Sequence, residues 1–95
     1  MNRSILLVAF SLFILSLSAQ KIEVKDDKAY DGNKLFTGTN IVYFENTELK
    51  KAETVFKKGL KEGKELVFFK SGKLKAERYW KSGEKNGKWI NYNEE

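Results

Sequence analysis

Gly63–Asn86 reads GKELVFFKSGKLKAERYWKSGEKN, and the chain says nearly the same thing again on either side of it. Gly38–Glu62 reads GTNIVYFENTELKKAETVFKKGLKE, and Gly87–Glu95 reads GKWINYNEE, a unit that stops early. The leading glycines stand 25 and 24 residues apart. Ile41, Leu66 and Ile90 correspond, as do Tyr43, Phe68 and Tyr92. Leu49 aligns with Leu74, Ala52 with Ala76, Glu53 with Glu77, Phe56 with Trp80 and Gly59 with Gly83. Self-similarity at such a period marks a repeat architecture, in which each unit leans on its neighbours. The first unit carries one extra residue near Lys50 and Lys51, which a β-bulge in the return strand is expected to absorb.

Inside each unit apolar and polar residues alternate, and turn residues break the pattern. Thr39–Phe44, Leu49–Lys57, Lys64–Phe69, Lys73–Lys81 and Lys88–Tyr92 are rich in aromatic and β-branched residues and read as strands. Between them lie Glu45-Asn46-Thr47, Lys58-Gly59, Lys70-Ser71-Gly72 and Ser82-Gly83, where Gly or Asn can take the positive φ of a hairpin turn. Upstream, Lys21–Lys25 and Lys34–Thr37 flank another such turn, Asp31-Gly32-Asn33. Because such turns join antiparallel neighbours, the expected fold is all-β, an antiparallel meander of stacked β-hairpins paired in chain order.

The residues that carry the repeat also carry a family likeness. Gly63, Lys64, Phe68, Phe69, Gly72, Lys73, Leu74, Lys75, Glu77, Tyr79, Trp80, Gly83, Gly87, Lys88, Trp89 and Tyr92 form a pattern that resembles the bacterial variant of the MORN repeat. The likeness runs over 35–95, with units starting at 38, 63 and 87, after an N-terminal strand and turn segment at 20–34. It implies a single-layer sheet of stacked hairpins. Many proteins of this type are labelled antitoxins, and other MORN proteins are linked to lipids. Thr47 stands where the second unit has its turn glycine, and the third unit ends after one strand.

Composition excludes most common chemistries. The chain of 95 residues has no Cys, His or Pro. That removes thiol and imidazole catalysis, disulfides and the usual zinc ligands. No phosphate-binding glycine loop is present, since the glycines fall at turn spacing. Asp27-Lys28-Ala29-Tyr30-Asp31-Gly32 starts like a calcium loop, but Ala29 holds its third position and Gly38 its last. Glu53 and Glu77 occupy equivalent positions and invite comparison with a catalytic carboxylate pair. Each lies between lysines, so salt bridging across strands is the simpler expectation. The chain is therefore expected to be no enzyme, with no cofactor and no metal. Acids alternate with its lysines instead of yielding a one-sign cluster, and no nucleic-acid partner is expected.

The first twenty residues differ from the rest. Arg3 precedes the apolar run Ile5–Leu17, ILLVAFSLFILSL, and the small residues Ser16, Ser18 and Ala19 close it. This is the charge, length and end of a secretory signal peptide at 1–19, with an uncleaved anchor as the alternative. Its removal takes away one basic residue and lowers the formal net charge from +5 to +4. Export to the periplasm, the cell surface or the medium follows.

Alternation along each strand suggests two faces. Ile41, Tyr43, Leu66, Phe68, Ile90 and Tyr92, with Leu74, Ala76, Trp80, Leu49, Ala52 and Phe56, form the expected core face. The other face keeps Val42, Val55 and Val67 and four rings, Phe44, Phe69, Tyr79 and Trp89, among its charges. Those four rings are the candidate binding residues, since contiguous exposed aromatic area marks contact sites. Stacking along a thin sheet is the competing role for them. The expected function is a small exported protein-binding or assembly module. An antitoxin or immunity-like protein, or a module held at an anionic membrane surface, are the alternatives. Lys88–Tyr92 at the end of the chain offers an edge at which copies could pair.

Overall fold

The computed structural model describes residues 21–95, and the leader expected at 1–19 lies outside them. Short alternating segments divided by tight turns give strands β1 (Ile22–Lys25), β2 (Lys28–Asp31), β3 (Lys34–Leu35), β4 (Gly38–Tyr43) and β5 (Lys50–Lys57). They continue as β6 (Leu60–Phe68), β7 (Leu74–Lys81), β8 (Glu84–Lys85) and β9 (Ile90–Asn91). All pairing is antiparallel. The strands lie in two sheets, β1-β2-β3 and β4-β5-β6-β7-β8, with β9 also on β7. The all-β meander is thus present, in two sheets where one had been expected.

Four two-residue turns set the registers. Asp26-Asp27 joins Lys25 to Lys28, Gly32-Asn33 joins Asp31 to Lys34, Lys58-Gly59 joins Lys57 to Leu60, and Ser82-Gly83 joins Lys81 to Glu84. In three of them both turn residues have positive φ, between 49° and 85°. That backbone twist matches the twist of the strands it connects. The Asp26-Asp27 turn was not expected, because it contains no glycine, though aspartate tolerates this conformation better than most residues. It creates β2, so the strand that faces β3 across Gly32 is Lys28–Asp31 and not Lys21–Lys25.

The repeated glycines mark bends, and only at Gly38 does a strand begin. β6 begins at Leu60 and runs through Gly63, whose φ is +85°, with a register shift opposite, between Thr54 and Phe56. At Gly38 the corresponding strand breaks into β3 and β4, and at Gly87 into β8 and β9. The break at Gly38 separates the two sheets, and the Phe36 ring lies over that glycine. The tip of the Lys58-Gly59 turn then joins them: Ala29 N–H donates to Gly59 O at 2.8 Å and Gly59 N–H to Phe36 O at 2.8 Å. The next turn repeats the docking one unit on, with Gly83 N–H donating to Lys61 O at 2.9 Å and Ser82 N–H to a Glu62 carboxylate oxygen at 2.9 Å.

The extra residue of the first unit is in a different place from the one expected. Val42 faces Ala52 and Tyr43 faces Lys50, leaving Lys51 as a bulge. Val67 faces Ala76 and Phe68 faces Leu74, leaving Lys75 as the same bulge. Both units therefore have it, and the length difference falls in the loop. The loop of the first unit closes from Phe44 N–H to Leu49 O, that of the second from Phe69 N–H to Lys73 O, one residue sooner. Lys50, and not Leu49, is the structural counterpart of Leu74.

Register also corrects the faces. The row Ile41, Glu53, Leu66, Glu77, Ile90 runs straight across the sheet, and the adjacent row Val42, Ala52, Val67, Ala76, Asn91 points to the opposite side. The residues expected to form one core face are thus divided. Ala52, Phe56, Ala76 and Trp80 share the inner face, while Ile41, Tyr43, Leu66, Phe68, Leu74 and Ile90 lie on the outer face, and Leu49 is exposed in a loop. The core itself is small and sits where the sheets meet: Ala29, Phe36 and Phe56, with Ile22 packed against them. The Phe36 and Phe56 ring centroids are 6.2 Å apart and tilted by 58°, a favourable aromatic contact.

Candidate functional site

The four rings singled out from the sequence do not form one exposed stripe. All four are half-buried. Tyr79 faces Lys64 on the outer face, and its hydroxyl donates to Glu77 at 3.1 Å. Trp89 packs on the inner face against Trp80, with centroids 5.0 Å apart, and its ring N–H donates to Tyr79 O at 3.0 Å. Phe44 and Phe69 precede their loops beneath lysines. The Lys51 and Lys70 ammonium groups lie 6.0 and 5.8 Å from the Phe44 centroid, and Lys75 lies 5.7 Å from Phe69. Arg78 and Lys85 approach Trp89 at 5.4 and 4.7 Å, and Lys61 approaches Trp80 at 4.4 Å. Cations over rings, with alkyl stems along them, shield this aromatic surface from water.

The inner face also holds a buried carboxylate. Glu65 is 6% exposed and accepts hydrogen bonds from the Thr54 hydroxyl at 2.6 Å and the Trp80 ring N–H at 2.8 Å. Lys61 Nζ stands 3.7 Å from it. Hydrogen bonds and a nearby cation compensate a buried charge, so this cluster is a structural tie between β5, β6 and β7. Glu53 and Glu77 share the outer row with Leu66 between them. Glu53 pairs with Lys50 at 2.6 Å, but three residues away on its own strand β5 and not across strands as expected. Glu77 instead accepts from the hydroxyls of Tyr79 and Tyr92, each at 3.1 Å. Shielding from water and the bond to Glu77 hold the Tyr92 phenol protonated to higher pH than an ordinary tyrosine, and the bond and charge of Glu53 do the same for the Lys50 ammonium.

A different feature is the most open to a partner: the free side of β4. Among the described residues no strand pairs with it. Phe44 N–H points inward to Leu49 O, so by alternation Thr39, Ile41 and Tyr43 direct their N–H and C=O groups outward. A groove of about 560 Å³ runs along this edge, lined by Thr39 to Tyr43 with Lys21, Ile22 and Phe36. Ile41, Val42 and Tyr43 are 36%, 44% and 48% exposed. Proteins usually guard a sheet edge with charge, proline or very short strands. The opposite margin is guarded in that way: β8 is Glu84–Lys85, and β9 has two residues following Lys88. Gly38–Phe44 carries no charge at all, in a chain that is 33% charged. The uncharged run was visible in the sequence, but only topology shows that it lies at an edge.

Compared with known proteins, the chain matches no family model, and neither a curated protein nor a solved structure matches it.

Proposed function

We propose that this protein is an exported, non-catalytic module of the MORN-repeat type that joins protein chains by strand addition at β4. One observation carries the reading: an open, uncharged edge strand beside a groove that Ile22 and Phe36 line together with Lys21, in a sheet whose other margin is guarded. An extended segment laid along Thr39, Ile41 and Tyr43 gains backbone hydrogen bonds, while Ile22 and Phe36 offer contact for its side chains. The repeated bends and docked turns are compatible with the MORN likeness of the sequence, and the leader at 1–19 supports export. A toxin held by an antitoxin-like protein is one partner that would fit this edge.

Two measurements test the reading. Intact mass and fractionation of the protein expressed in a bacterial host are expected to give a species shortened by about nineteen residues outside the cytoplasm. A full-length cytosolic species would overturn export. A photo-reactive residue at Thr39 or Tyr43 is expected to cross-link to another polypeptide, and one at Lys85 on the guarded margin is not. Cross-linking absent from both β4 positions would refute strand addition.

A further inference from the structure

We infer that the chain added to β4 is β4 of a second copy, so that two sheets join edge to edge about a two-fold axis through Ile41. This rests on the reading of β4 as a joining edge and names its partner. β4 is compatible with its own copy in charge. In a two-fold interface every residue near the axis meets itself or a close sequence neighbour, so any charge there meets a like charge. β4, GTNIVY, is the longest uncharged strand of the protein; β5, β6 and β7 each carry both lysines and acids. On these grounds β4 is the strand best able to face its own copy without repulsion.

The register follows from which groups point outward. Thr39, Ile41 and Tyr43 present their backbone groups to the free side, so an antiparallel copy centred on Ile41 sets Ile41 against Ile41 and Thr39 against Tyr43 on both sides of the axis. Each such pair exchanges two hydrogen bonds, about six in all. On the outer face an isoleucine pair is flanked by two threonine–tyrosine pairs, combinations that favour sheets. On the inner face Asn40 meets Val42. Phe44 of the second copy then arrives opposite Gly38, where the Phe36 ring already lies over the glycine and Ile22 completes the groove wall. The groove therefore receives an aromatic ring from the same strand that supplies the hydrogen bonds.

Ile41 offers a clean test. It lies on the outer face, 36% exposed and opposite Glu53, so a lysine there keeps the protomer folded beside a carboxylate. At the axis that lysine meets its twin. Ile90 is its control: the same row, the same residue type, also opposite a glutamate, Glu77, but at the guarded margin. Sedimentation equilibrium of the mature chain, with circular dichroism to confirm folding, is expected to give twice the protomer mass for wild type and for I90K, and the protomer mass for I41K and for I41E. Mixing I41K with I41E in equal amounts is expected to restore the doubled mass, because opposite charges then meet across the axis. A wild-type chain that stays monomeric at its highest soluble concentration overturns self-pairing. So does loss of the dimer in I90K with its retention in I41K. If the chain is monomeric yet cross-links through Thr39 to a foreign polypeptide, self-pairing fails while β4 survives as the joining edge; no cross-link from β4 to any chain removes both.

Discussion

Substituting Gly59 by alanine, with Gly63 by alanine as its partner experiment, measures how much of the fold depends on turns docking against the preceding unit. Both glycines have φ of +85°, so both substitutions impose the same left-handed backbone on a residue with a Cβ. That costs about 1–2 kcal/mol. Their surroundings differ. A Cβ at Gly63 meets nothing within 4 Å, whereas at Gly59 it would stand 2.6 Å from Leu35 Cδ2 and 3.3 Å from Ala29 O. Leu35 can yield only in part, since Ala29 O belongs to the backbone that the turn docks on, and overpacking of this kind adds about 1–3 kcal/mol. Gly63→Ala should therefore cost about 1–2 kcal/mol and Gly59→Ala about 2–5. For a domain of this size each kcal/mol is about 4–8 °C of Tm. Urea unfolding gives the energies, and amide exchange gives the place: Gly59→Ala should lower protection at Ala29 and Gly59, whose N–H groups make the docking bonds, and Gly63→Ala should not. Equal destabilisation by the two substitutions, with Ala29 protection unchanged, would refute the docked turn as the joint between the sheets.

Further outcomes follow from the inner face and from the tyrosine row. Glu65→Gln keeps the shape of the carboxylate but exchanges charge-assisted hydrogen bonds for neutral ones, a loss of about 1–2 kcal/mol in urea unfolding; Glu65→Leu strands the Trp80 N–H and Thr54 hydroxyl and should cost clearly more. Equal costs would mean that the carboxylate is not what those donors need. Tyr92 and Lys50 both hold their protons to higher pH when folded than the ordinary values of 10.0 and 10.5. A raised folded pKa stabilises below the unfolded pKa and loses that contribution as pH rises through the folded one. The urea midpoint should accordingly fall above about pH 10, and Tyr92→Phe should flatten part of that fall. Trp89→Phe keeps an aromatic ring against Trp80 but loses the bond to Tyr79 O, which should cost about 0.5–1.5 kcal/mol. No change would show that water replaces that bond.

Much of the local structure was legible because its causes are local. Lys58-Gly59 and Ser82-Gly83 declare hairpins by the positive φ that they accept, and the strands between them declare themselves by alternation. Asp26-Asp27 was missed for the same reason in reverse: its left-handed pair is permitted by aspartate but not announced by it. The correspondence of Ala52 with Ala76 was legible too, since each follows a bulged lysine and faces a valine of the strand before it, Val42 and Val67 respectively.

The amino-acid sequence by itself determined that residues 21–95 are built of strands, where most turns fall, and that imidazole and thiol chemistry are absent. Tertiary structure alone decided which residues share a side. Alternation specifies parity within one strand, but a bulge at Lys51 or Lys75 reverses it for whatever follows, and only cross-strand register reveals the reversal. That is why Ala76 and Leu74, two residues apart, end on opposite faces, and why Phe44 and Tyr79 do not belong to one stripe. Tertiary structure also decided where the sheet ends. The neutrality of Gly38–Phe44 is written in the sequence, yet a neutral strand is unremarked in the middle of a sheet and open for pairing at its edge, and its position depends on the break at Gly38 that turns β3 away from β4.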